Sequence, residues 1–64
     1  MEVTELKAID DITDRISRTL SGTVAREEIE RTVRDIWTEL REHAMFSAFL
    51  AVLTERIARD RLRA

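Results

Sequence analysis

Val3, Leu6, Ile9, Ile12, Ile16 and Leu20 recur at steps of three and four, the spacing that lines one side of an α-helix. Thr4 can cap such a helix, and Glu5, Asp10 and Asp11 lie toward the positive end of its dipole, so the pattern predicts helix 1 over residues 4–20. The chain has no proline and a single glycine, Gly22, in the sequence LSGTV. That glycine is the one obvious punctuation mark. After it, Ile29, Val33, Ile36, Trp37 and Leu40 form a second helical stripe, which predicts helix 2 over 26–42. If Ala25 is its N-cap, Glu28 falls at the third helical position and Val24 can pack on Ile29, although alanine offers no capping oxygen; Thr23 is the competing cap.

A third stripe, Phe46, Phe49, Leu50, Leu53 and Ile57, predicts helix 3 over 46–62, with Val52 well off that side. The segment REHAMFS between the second and third stripes contains neither glycine nor proline and permits one continuous helix. Phase argues for a break, because winding about 100° per residue leaves the two stripes centred roughly 120° apart. A turn near residues 42–45 realigns them and gives an all-α fold, a small antiparallel three-helix bundle forming one domain over residues 1–64. The alternative is a helical hairpin with one long arm, which would have to dimerise to cover its apolar surface.

Size sharpens that expectation. A chain of 64 residues lies near the lower limit of independent folding, since a domain this small buries only ~60% of its unfolded surface. Such proteins commonly add disulfides, a metal or oligomerisation. There is no cysteine, and His43 is the only histidine, with no Cys, His or carboxylate cluster at ligand spacing, so neither metal nor cofactor is expected. Association remains. The apolar surface of helix 3 exceeds what an intrachain core needs, which makes Phe46, Phe49, Leu50, Val52 and Leu53 the candidate interface of a homodimer, with Trp37 and Met45 at its margin. Trp37 otherwise reads as a core or half-buried residue whose indole N–H turns to solvent or a carbonyl.

Charged residues are 38% of the chain, yet the formal net charge is only −2. That balance argues against a nucleic-acid binder of ordinary type, and the content of Ile, Leu, Val and Phe argues against disorder. The opening MEVTELK lacks the basic start and apolar core of a signal peptide, and no run approaches the ~18 apolar residues of a membrane span, so a soluble cytoplasmic protein is expected. Arg56, Arg59, Arg61 and Arg63, alongside Glu55 and Asp60, compensate a helix dipole or form a patch for an anion or a partner, and a small regulatory nucleic-acid-binding module using them is the alternative function. No Ser-His-Asp or Cys-His set and no phosphate-cradling loop is present, so no catalytic residue is assigned.

Two resemblances follow from particular residues. Leu6, Lys7, Ile9, Asp10 and Ile12, read L-K-x-I-D-x-I, resemble the opening helix of helical chorismate mutases, which implies a carboxylate-gripping role for Lys7 in a small enzyme. The C-terminal run F-L-x-V-L-x-E-R-x-A-R-x-R-L from Phe49 to Leu62, with V-A-R-E-E-I-E-R-T-V from Val24 to Val33, resembles an actinobacterial three-helix-bundle dimerisation domain. That family occurs alone or ahead of low-molecular-weight phosphatase or arsenate-reductase-like proteins. The resemblance implies a non-enzymatic pairing module whose partners are a second copy and a phosphatase- or arsenate-reductase-like protein. Without cysteine, the thiol chemistry of those enzymes is not expected here. The family often has proline where this chain has Ala51, so one helix-start signal is missing.

Overall fold

A computed structural model describes residues 3–43 and 47–63 of the chain. Three helices follow one another, α1 (Val3–Leu20), α2 (Arg26–Glu42) and α3 (Ser47–Arg63), and each packs on the other two. This is the three-helix bundle that the spacing of apolar residues predicts. Helices α1 and α2 run antiparallel: Arg26 at the start of α2 reaches Asp10 and Asp14 near the middle of α1, while Arg41 at the end of α2 reaches Glu5 at the start of α1. Helix α3 packs against both, with Glu55 paired to Arg15 of α1. At its end, α2 stops at His43, whose N–H bonds to the Leu40 carbonyl at 3.1 Å, so the single long arm is not formed. The expected helix start at Phe46 lies outside the described residues, as does Met45.

The first turn shows how the sequence stops one helix and starts the next. Ser21 and Gly22 both adopt left-handed backbone, with φ of 51° and 77°, and Thr23 N–H bonds to the Leu20 carbonyl at 3.0 Å. Glycine takes that conformation without steric penalty. The Thr23 hydroxyl also donates to Leu20 O, at 2.7 Å, so Thr23 closes α1 rather than capping α2. Ala25 is the N-cap of α2, extended at φ −62° and ψ 139°, with no side-chain acceptor for the free N–H groups. Ala25→Ser is therefore expected to stabilise the fold by ~1 kcal/mol, read as a rise in melting temperature; an unchanged melt would contradict this cap assignment. Thr4 lies inside the first turn of α1, which begins at Val3, rather than standing before it as a cap.

The core consists of Ile9, Ile12 and Ile16 from α1, Ile29, Val33, Ile36 and Trp37 from α2, and Leu50 and Ala58 from α3. Leu20, Val24, Leu40, Ile57 and Leu62 pack around it, partly covered. Two threonines are fully buried with it. Thr13 resolves its hydroxyl by donating to Ile9 O at 2.7 Å, but the Thr54 hydroxyl has no hydrogen-bond partner among the described residues. A buried orphan hydroxyl costs about 1–3 kcal/mol, and valine has nearly the same shape. Thr54→Val should raise the melting temperature by roughly 4–8 °C for each kcal/mol recovered, and a lower melting temperature would contradict the orphan assignment.

Candidate interaction surface

Helix α3 carries two kinds of apolar residue. Leu50 is 4% exposed and Ala58 is fully buried, both against the other helices, whereas Phe49 is 64% and Val52 66% exposed. Leu53 and Ile57 lie between, half-buried. Steps of three and four connect Phe49, Val52, Arg56, Asp60 and Arg63 into one outward line on the helix, with Arg59 at its margin. The proposed interface residues thus separate. Phe49 and Val52 share the outer face with Leu53 at its edge, while Leu50 and Trp37 belong to the chain's own core and are not available to a partner. Of the arginines, Arg56, Arg61 and Arg63 are exposed and Arg59 is half-buried.

Trp37 is 4% exposed, and its indole N–H donates to Glu5 Oε2 at 3.0 Å rather than to solvent or a carbonyl. The same carboxylate oxygen lies 3.2 Å from Arg41 Nη1, and the Glu5 side chain is only 16% exposed. One carboxylate thus ties the start of α1 to the end of α2 through a neutral and a charged donor. Antiparallel pairing of the first two helices puts residue 5 beside residues 37 and 41, and that is the signal by which the sequence could have identified the contact.

Other polar contacts hold the helices in register. Arg15 donates from Nε to Glu55 Oε1 at 2.9 Å and lies 2.8 Å from the same oxygen through Nη2, joining α1 to α3. This hydrogen bond raises the Arg15 guanidinium above its ordinary range, against an opposing effect of burial. Arg26 spans Asp10 at 3.0 Å and Asp14 at 2.6 Å; its hydrogen bond to Asp14 is the main cause of its raised pKa. Exposed pairs of this kind contribute little stability each. The expectation of no carboxylate cluster at ligand spacing is corrected: Asp10, Asp11 and Asp14, at i, i+1 and i+4 of one helix, bring their carboxylates within 4.8 Å of one another, and Arg26 pairs with two of them. Lys7 stands exposed on α1, away from the core, and no polar groups converge on it among the described contacts.

No helix among the described residues is long and apolar enough to cross a membrane. No curated protein and no solved structure matches the chain. A family model described as the N-terminal domain of protein-tyrosine-phosphatase-like proteins matches residues 9–64, leaving out only the first two turns of α1 and the residues before them. With α2, α3 and most of α1 within that match, the chain belongs to the family of N-terminal domains of protein-tyrosine-phosphatase-like proteins.

Proposed function

We propose that this domain is a non-enzymatic pairing module that joins a second copy of itself through the outer face of α3. The observation that carries this reading is the exposure of Phe49 and Val52, 64% and 66%, side by side on a helix whose other described apolar residues are buried or half-buried. An exposed aromatic beside a branched aliphatic residue contributes little to the monomer. Burial at ~25 cal/mol per Å² makes such a pair worth several kcal/mol to a complex, comparable with the whole stability of a small fold. Family membership supports the same reading, because an N-terminal domain of phosphatase-like proteins has a catalytic unit as its natural neighbour, and pairing would bring two such units together. A nucleic-acid role for the arginines of α3 is disfavoured by Asp60, exposed among them, which would repel phosphate.

Association of this kind couples to folding. The melting temperature should rise with protein concentration, by roughly 5 °C per tenfold change for a dimer of chains this size that unfolds and separates in one step. Calorimetric or circular-dichroism melts over a hundredfold concentration range check it, and a concentration-independent melt contradicts the pairing.

A further inference from the structure

The association reading above leaves open how two copies meet, and the charge pattern of the α2–α3 face narrows it. Along the outward line of α3 the apolar pair Phe49 and Val52 comes first, and residues 56–63 then hold four arginines and one aspartate. On α2, Asp35, Glu39 and Glu42 are exposed and make no ion pair among the described residues. Glu39 lies on the flank of α2 away from α1, since Arg41, which pairs with Glu5 of α1, is turned about 160° from it around the helix. Because α2 ends where α3 begins, Glu39 and Glu42 accompany the apolar end of α3. On α3 itself the exposed line is apolar at one end and basic at the other, whereas the acids of α2 run its whole length, since the exposed Glu28 lies on the same flank as Asp35 and Glu39. None of Arg56, Arg59, Arg61 and Arg63 is in an ion pair among the described residues either.

Two copies related by a two-fold axis can align α3 with its mate in only two senses. An axis along the helix sets Arg56 against Arg56 and Arg63 against Arg63, and juxtaposed like charges oppose association. An axis across the helix turns one copy end for end, separates the like charges and brings each basic end of α3 to the other's apolar end, beside Glu39 and Glu42. We infer that two copies pair through antiparallel α3 helices crossing at Val52 and Leu53, with Phe49 of each copy against Arg56 of the other. In this arrangement the guanidinium lies over an aromatic face, a favourable cation–π contact. Arg59 and Arg63 approach Glu39 and Glu42 of the opposite copy, so the same surface supplies both halves of the complementarity.

Because the chain contains no cysteine, single cysteines can carry spin labels without background. Asp60→Cys and Arg63→Cys place labels on exposed positions of α3 that spare Phe49, Val52 and Arg56. Light scattering on each labelled protein first establishes whether its mass is twice the 7.5 kDa chain. With a crossing between residues 52 and 53 and a rise of 1.5 Å per residue, dipolar spectroscopy should give label separations of about 22 Å at position 60 and about 31 Å at position 63. A dimer with similar short separations at both positions, below about 20 Å, is parallel and overturns the inference. A dimer with both separations beyond about 40 Å uses another face and also overturns it, while leaving self-association intact. A monomeric mass throughout, for labelled and unlabelled protein alike, overturns self-association itself and the antiparallel geometry with it.

Discussion

Trp37→Ala is expected to leave the chain without a cooperative fold at 25 °C. The indole is 4% exposed among Ile36, Val33 and the residues of α1, and truncating a buried tryptophan costs about 3–5 kcal/mol. A domain of 64 residues has, at 0.05–0.15 kcal/mol per residue, roughly 3–10 kcal/mol in total. The loss is therefore a large fraction of everything that holds the helices together. It also removes the donor to Glu5 Oε2, which keeps Arg41 as its charged partner. Trp37→Phe separates these effects, because the ring still fills the core while the N–H is gone. That variant should remain folded and melt lower by an amount set by one hydrogen bond to a charged group, about 1.5–3 kcal/mol. Thermal melts followed at the helical circular-dichroism band decide the matter. A Trp37→Ala protein that melts within a few degrees of the parent would show that the indole is not part of the core.

Val52→Glu should have the opposite character, an intact helical fold with self-association lost. Val52 is 66% exposed, and glutamate is a good helix former, so the monomer gives up little. At the crossing point of two α3 helices the substitution brings two carboxylates together and strips them of water. Truncation at the centre of an interface commonly costs 2 kcal/mol or more, and like-charge juxtaposition adds to it, so the dissociation constant should rise roughly 100-fold or more. Leu50→Glu is the control. Only two residues away but 4% exposed, it places a charge in the core and should unfold the chain instead of merely separating it. If both variants behaved alike, the division of α3 into an inner and an outer apolar face would be wrong.

That division is also where the sequence is hardest to read. Helices α1 and α2 are legible almost to the residue, because isoleucine and valine at steps of three and four leave little doubt about the buried side. In α3 the inner line is Leu50, Thr54 and Ala58, two of which carry no strong hydrophobic signal. Close approach of helices favours small side chains, so the phenylalanine and leucines dominate the apolar pattern and pull its apparent centre toward Phe49, on the outside. The same weakness hides Thr13 and Thr54 as core residues and places Leu50 with the exposed ones. Val3 and Leu6 illustrate the converse: they follow by steps of three, which drift about 60° each, so Val3 lies about 120° around α1 from Ile9 and the two are 82% and 45% exposed. The Glu5 contact with Trp37 and Arg41 depends on which residues antiparallel packing brings level, and composition carries no trace of it.

The reading stands or falls on whether the outer face of α3 joins two chains. Molar mass by light scattering after gel filtration, over a concentration series of the parent protein and Val52→Glu, measures this directly. The account predicts twice the 7.5 kDa chain mass for the parent and a single-chain mass for Val52→Glu at the same concentrations, with equal helical content in both. A parent protein that stays at 7.5 kDa across the series, or a Val52→Glu variant that keeps the doubled mass, would contradict it.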